Sequence, residues 1–127
     1  MLSPQTLLIK NNFQLKGIIN APCSKSSMQR ACALSLLHQG TTIIKNPGKS
    51  NDDLAALNHL KQLGLNILSN YKQSIVIDNS TDILLNIKNG RFNGNINFDC
   101  GESGLGIRMF TPLLALNPHE ISISGKG

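Results

Sequence analysis

The chain has 127 residues, 12 Lys and Arg against 7 Asp and Glu, a net charge of +5, and 40% apolar residues with only 4% aromatic. That length suits one domain, which can bury roughly two-thirds of its unfolded surface in a core that must be mostly aliphatic. Charged residues, at 15%, are too sparse for a disordered chain, no apolar run of about 18 residues offers a membrane span, and Met1-Leu2-Ser3-Pro4 lacks the pattern of a secretory leader.

In chain order, Leu7-Leu8-Ile9 and then Phe13 to Ile19 read as short strands. A loop of small residues follows from Asn20 to Ser26. Met28 to His38 has few breakers and reads as a buried helix, with Ser26 and Gln29 spaced as a capping box and Gly40 as its end. Thr41 to Ile44 is β-branched and reads as a strand. Asn46-Pro47-Gly48 turns the chain. Ser50 and Asp53 open a second helix, whose Leu54, Leu57, Leu60 and Leu63 share one broad face and which Gly64 closes. Asn66 to Ser69, Ser74 to Asp78, Ile83 to Ile87 and Asn95 to Asp99 read as strands. A glycine-rich loop, Cys100 to Gly106, precedes a helix from Ile107 to Leu116, which Pro112 should kink or displace at its start. Glu120 to Ser124 reads as the last strand.

An internal repeat organises this series. Gly17, Asn20, Cys23 and Ser26 recur at the same spacing as Gly94, Asn97, Cys100 and Ser103, and Arg30 is echoed by Arg108. Leu36-Leu37 returns as Leu113-Leu114. Both copies read strand, polar loop, Arg-bearing helix, strand. The first continues to about residue 93. The second stops at Gly127 after its opening strand, helix and strand, so a truncated chain is expected.

Each copy sets a loop of small residues before a helix N-terminus, where exposed N–H groups and the helix dipole favour an anion. The first loop adds Ser24, Lys25, Ser26 and, one turn on, Arg30. Lys25 is a mobile point charge, Arg30 a planar fork for carboxylate or phosphate, and the two hydroxyls are further donors. The second loop has Gly101, Gly104 and Gly106, which allow close backbone approach, followed by Arg108. Ser and Gly are also ordinary helix caps, and the acidic Glu102 is out of character in an anion loop. The second loop is neither a Walker loop nor a Gly-x-Gly-x-x-Gly loop.

Other candidates are weaker. Asp52 and Asp53 could pair for acid–base work, but both stand where a helix start favours negative charge. His38, His59 and His119 have no ligand spacing and read as surface or helix-end residues. Cys23 and Cys100 lie beside helix starts that can lower a thiol pKa, with no histidine near either in sequence. Three widely spaced cysteines without Cys-x-x-Cys argue against a disulfide framework or structural zinc, so no cofactor or metal is expected, and a reducing cytoplasm is the default location. No two basic residues are adjacent. The charge excess therefore fits an anionic small molecule at least as well as a nucleic acid or membrane.

Pro22-Cys23-Ser24-Lys25-Ser26-Ser27-Met28-Gln29-Arg30 resembles the Pro-Gly-Ser-Lys-Ser-x-x-Asn-Arg signature of the 5-enolpyruvylshikimate-3-phosphate synthase family. Gly40-Thr41-Thr42, Ser50-Asn51-Asp52-Asp53 and Leu63-Gly64 are similar to the same family in the same order. Asp99 to Arg108 looks like its second loop, Gly-Asn-x-Gly-Thr-x-x-Arg. Cys23, Gln29, Glu102 and Leu105 depart from the usual Gly, Asn, Asn and Thr. The resemblance runs from about Gly17 to Gly125.

It implies an α/β (α+β) fold of repeated βαβαββ units, incomplete in an N-terminal fragment. Residues 1–16 would be opening strands that pack on a second domain. Residues 17–127 would be the first part of the substrate-binding domain, with one full unit over 17–93 and about half of another. The implied reaction is 3-phosphoshikimate 1-carboxyvinyltransfer in aromatic amino-acid biosynthesis. The enolpyruvyl group of phosphoenolpyruvate passes to the 5-hydroxyl of shikimate 3-phosphate by addition and elimination, and phosphate leaves.

By residue, the resemblance implies that Lys25 contacts both substrates and stabilises charge developing near phosphoenolpyruvate. It also implies that Ser26 and Arg30 hold shikimate 3-phosphate, and that the Gly104 backbone lies against phosphoenolpyruvate. Ser24 and Arg108 are expected in support. The complete enzyme is expected to be a cytoplasmic monomer without nucleic-acid or membrane partners. The fragment is expected to be inactive alone and to self-associate. The related transferase that acts on a nucleotide sugar lacks the Ser-Lys-Ser-x-x-x-Arg arrangement. A non-catalytic anion- or nucleic-acid-binding module is the alternative from another class.

Overall fold

A computed structural model describes Gln14 and residues 16–70, 73–92 and 96–126. The expected strand at 7–9 lies outside these residues, as do Phe13 and Leu15 of the next. Residues 16–20 form no strand.

The first helix, α1 (Lys25–Ser35), starts three residues before the expected Met28 because Ser24, not Ser26, is its cap. The Ser24 hydroxyl accepts from the Ser27 N–H at 3.3 Å, which satisfies one of the unpaired donors of the first turn. Lys25 and Ser26 are therefore helical residues rather than loop. The expected Ser26–Gln29 box does not form, since Gln29 is buried and bonded elsewhere. The helix also ends before His38. The side-chain Nδ2 of Asn79 lies 3.1 Å from the Ser35 carbonyl, 3.3 Å from that of Leu36 and 3.1 Å from that of His38. These acceptors lie at the end of the helix, where carbonyls have no partner within it.

Strand β1 (Gly40–Lys45) leaves from that point. Helix α2 (Asn51–Gln62) and strands β2 (Asn66–Asn70) and β3 (Ser74–Asn79) follow. The three strands form an antiparallel sheet in the order β1-β3-β2, with Gly40 opposite Asn79 and Ile67 opposite Ile77. Ile75, Ile77 and Asn79 are buried in alternation along β3, and Ile44 is buried on β1. The three isoleucines join Ala33 and Leu36 of the α1 region and Leu60 and Leu63 of the α2 region in one core.

The α2 start is the expected capping box. The Asp53 N–H donates to Ser50 Oγ at 3.3 Å, and the Ser50 N–H donates to Asp53 Oδ2 at 3.0 Å. A side chain at Gly48 would collide with that carboxylate, so the turn requires glycine there. The buried stripe of α2 is rotated from the one expected. It carries Asp53, Ala56, His59 and Leu60, whereas Leu54 is 55% exposed.

Residues 83–87 are not a strand. They lie in a short helix, α3 (Ile83–Lys88), capped by Asp82, whose Oδ1 accepts from the Leu85 N–H at 3.1 Å. The burial explains the difference. Ile83 and Ile87 are buried and Leu85 is exposed, which is a spacing of four on a helix rather than strand alternation.

The chain closes with β4 (Asn97–Asp99), α4 (Gly104–Leu114) and β5 (Ser122–Ser124), the two strands pairing in parallel. Helix α4 starts at Gly104, three residues before the expected Ile107, and runs through Pro112. The fold is thus α/β, with elements α-β-α-β-β followed by a short helix and a β-α-β return.

His59 is 1% exposed, not a surface residue. Its ring meets Phe98 and Phe110 edge-on, at centroid separations of 5.3 and 5.0 Å. Nε2 lies 3.2 Å from the Asp99 carbonyl, so this nitrogen carries the proton and Nδ1 is left buried without a partner. Burial pushes the pKa of His59 below its ordinary value, against a smaller opposing effect of the Asp99 carbonyl and carboxylate. The unfolded chain therefore takes up a proton near pH 6.5, where the folded chain still refuses it. Stability should fall as pH drops from about 7 towards 5, with a slope approaching about 1.4 kcal/mol per pH unit at most. Urea midpoints measured across this range should show the fall, and His59→Leu should flatten it. A parent chain whose midpoint does not change over this range would contradict the assignment.

Candidate functional site

Lys25 is the first residue of α1, and its ammonium contacts Asp52 Oδ2 on α2 at 2.7 Å. The lysine side chain is 56% exposed and that of Asp52 14%. The hydrogen bond and charge of Asp52 raise the lysine pKa against an opposing effect of desolvation, with lesser contributions from Asp53 and Glu102. Two adjacent carboxylates thus divide the work: Asp53 caps α2 and Asp52 holds Lys25. The capping reading of Asp52 missed this pairing. The available signal was that a capping box consumes only one carboxylate.

Ser26 is half-buried on the first turn of α1, and Arg30 is exposed four residues later on the same face. Ser24 is exposed, with its hydroxyl occupied by the cap. The N–H groups of Lys25 and Ser26 have no acceptor among the described residues. The α1 N-terminus thus presents unpaired donors, a lysine, a serine and an arginine together.

The second loop also leads into a capped helix. Ser103 Oγ accepts from the Gly106 N–H at 2.9 Å. Gly101, at φ 55°, adopts the left-handed turn that glycine favours. Gly104 is exposed, with open space where a Cβ would project. Arg108 is exposed on the next turn. The repeat had matched Ser103 with Ser26, but the residue with the same capping role in the first copy is Ser24.

The two loops are joined by a bond that the sequence reading missed. The buried Ser103 hydroxyl donates to Gln29 Oε1 at 2.7 Å, linking α4 to α1. The repeat and the signature single out both residues, but neither signal pairs one with the other.

Two cavities flank the first loop. One, of about 730 Å³, lies between α1 and β1 and is lined by Cys23, Ser24, Met28 and Leu34 among others. The second, of about 660 Å³, is lined by Lys25, Lys49, Ser50, Asp53 and Gln73 among others. Lys25 and Ser24 reach these cavities, while Ser26, Arg30, Gly104 and Arg108 stand outside both. Among the described residues, no three His, Cys, Asp or Glu side chains are grouped to hold a metal. Among them too, no helix is long and apolar enough to cross a membrane.

These features define a class: a mixed α/β protein with two helix N-termini on linked loops, carrying Lys25, Arg30 and Arg108. Residues 9–127 match the family described as EPSP synthase (3-phosphoshikimate 1-carboxyvinyltransferase), and the chain belongs to that family. Three similar relatives are named 3-phosphoshikimate 1-carboxyvinyltransferase. That of Methanococcus vannielii is 31% identical over 92% of this chain and 25% of its own length. That of Chlamydia caviae is 33% identical over 87% of this chain and 23% of its own. That of Psychromonas ingrahamii is 33% identical over 96% of this chain and 28% of its own. The chain thus spans about a quarter of the length of these relatives.

The cysteines differ in reach. The half-buried Cys23 thiol lies 3.3 Å from Asn46 Oδ1 and 3.4 Å from the Pro47 carbonyl, beside both cavities. Cys32 is fully buried, and burial, with the charge of Asp53, pushes its pKa up to about 12. Burial and then the charge of Asp99 raise Cys100, the opposite of what its place beside a helix start suggested. N-ethylmaleimide at neutral pH should therefore label Cys23 first and leave Cys32 and Cys100 until the chain is unfolded. Mass spectrometry should find rapid labelling abolished in Cys23→Ser. Equal native labelling of all three would contradict the burial.

Proposed function

We propose that the chain forms part of a 3-phosphoshikimate 1-carboxyvinyltransferase, with the α1 N-terminus holding part of the shikimate 3-phosphate site. That reaction moves the enolpyruvyl group of phosphoenolpyruvate to the 5-hydroxyl of shikimate 3-phosphate and releases phosphate. The observation that carries the proposal is the placement of Lys25, Ser26 and Arg30 on two turns of one capped helix start, in a chain of this family.

An ammonium has three N–H donors. Asp52 occupies one and leaves two for the oxygens of an anion. Lys25 is assigned the stabilisation of charge as it develops near phosphoenolpyruvate. Ser26 and Arg30 are assigned to the phosphate and polar groups of shikimate 3-phosphate, Arg30 through its planar fork. Gly104, with nothing above its Cα, is assigned to close backbone approach to phosphoenolpyruvate. Ser24 caps α1, and Arg108 is assigned a supporting place beside the second loop.

Residues 17–93 are assigned to one βαβαββ unit and the residues after them to the start of a second. The order α1-β1-α2-β2-β3 supports all but the opening strand of the first. Residues 1–16 are assigned to contacts with a further domain, and the working location is the cytoplasm. Ile18, Ile19, Leu34, Leu37 and Ile43 are exposed and support self-association of this chain. Sedimentation should show association that grows with concentration, and a clean monomer at high concentration would refute it.

The test of the site is a two-dimensional amide NMR titration with shikimate 3-phosphate and with phosphoenolpyruvate. Saturable shifts are expected around Lys25, Ser26 and Arg30. Lys25→Ala should weaken binding by about tenfold or more, the loss of one charge-assisted bond. A dispersed spectrum that ignores both ligands would overturn the assignment.

A further inference from the structure

We infer that Gln29 is a positioning residue that sets the second loop against the first. The inference rests on the proposed anion site at the α1 N-terminus and concerns how that site is held in register with Gly104.

Ser103 is the junction. Its single hydroxyl donates to Gln29 Oε1 at 2.7 Å and accepts from the Gly106 N–H at 2.9 Å. The first bond reaches across to α1, and the second caps α4. The rotamer that Gln29 selects for the hydroxyl is thus the rotamer that starts α4 at Gly104. Gln29 is 1% exposed and Ser103 3%, so water does not compete for either bond. The loops are also within electrostatic reach of one another, because Glu102 on the second contributes to the raised pKa of Lys25 on the first.

Packing alone does not account for glutamine here. Its Nε2 is buried without a partner, a state that destabilises the fold. A methionine of similar length and volume could fill the space between α1 and α4 and would remove the orphaned Nε2, although it would leave the Ser103 O–H without its acceptor. What methionine cannot do is fix the Ser103 hydroxyl. The residue type is explained by direction, not by bulk.

The test compares Gln29→Met, which keeps the bulk, with Gln29→Glu, which keeps the acceptor, in the full chain. Without ligand, Gln29→Met should change the melting temperature little, since it removes one buried orphan, Gln29 Nε2, and creates another, the Ser103 O–H. It should also speed hydrogen exchange at the Gly106 amide about fivefold, the equivalent of a bond worth about 1 kcal/mol. Gln29→Glu should restore slow exchange at Gly106. With shikimate 3-phosphate, the parent chain should shift the amides of Ser26 and Ser27 together with those of Gly104 and Gly106. In Gln29→Met the first pair should still respond and the second should not.

Unchanged Gly106 exchange in Gln29→Met would overturn the inference. So would a Gln29→Glu chain that exchanges at Gly106 as Gln29→Met does while its core amides, such as that of Ile77, stay as protected as in the parent, a control that separates loss of the bond from loss of the fold. A parent chain that ignores the ligand yet shows the exchange differences would retire the site while leaving the coupling in place. Ligand shifts with no exchange difference would do the reverse.

Discussion

The carboxamide of Asn79 is the constraint on which the other elements depend. Its Nδ2 reaches the carbonyls of Ser35, Leu36 and His38, and its Oδ1 accepts from the Ile83 N–H at 2.9 Å. One side chain at the end of β3 thus stops α1, starts α3 and stands opposite Gly40, where β1 begins. The residue is 1% exposed, so without that amide several backbone groups would be buried without partners. With the C-terminal end of α1 anchored to the sheet, its N-terminal end is held too. The candidate site is therefore the free end of a helix whose other end is clamped.

From that end the site is tied outwards by three contacts of different strength. Lys25 to Asp52 is an exposed ion pair, and such pairs add little stability. Its consequence is orientation, since it holds an ammonium at the helix start and leaves donors unused. Cys23 to Asn46 and Pro47 draws the loop against the β1–α2 turn through a weakly bonding thiol. Gln29 to Ser103 is buried and short, and it brings in the second loop. The strongest contact thus lies between the two loops, and the weakest are those an incoming anion would disturb.

The β4–α4–β5 segment is attached to α2 by a different chemistry. His59 of α2 sits between Phe98 and Phe110 and bonds the Asp99 carbonyl just before the second loop. A neutral imidazole suits that place, because its edges fit aromatic neighbours and its one N–H has an acceptor. The same ring leaves one nitrogen orphaned, so this contact is sensitive to acid in a way that the aliphatic core is not.

Much of this was legible from residue order alone. Ser50 and Asp53 announced α2, the β-branched run announced β1, and two small-residue loops before Arg-bearing helices marked the candidate site and the family. These signals are local, carried by a cap, a turn or a motif whose chemistry needs only its neighbours in sequence. The starts of α1 and α4 differ from expectation by a local choice of cap, and the other differences came where a distant residue decided the outcome. α1 stops early because Asn79, far along the chain, takes its carbonyls. Residues 83–87 are helical because the core receives Ile83 and Ile87 on one side and leaves Leu85 outside. His59 is buried because two phenylalanines from a later segment close over it. Asp52 serves Lys25, and Gln29 serves Ser103, because α1 is set beside both α2 and α4. Local order along the chain specified most of the elements, the capping box of α2 and the chemistry offered at each loop. Which polar groups meet was settled by packing, since a buried donor or acceptor takes its partner by proximity in space, and spacing along the chain carries no record of that.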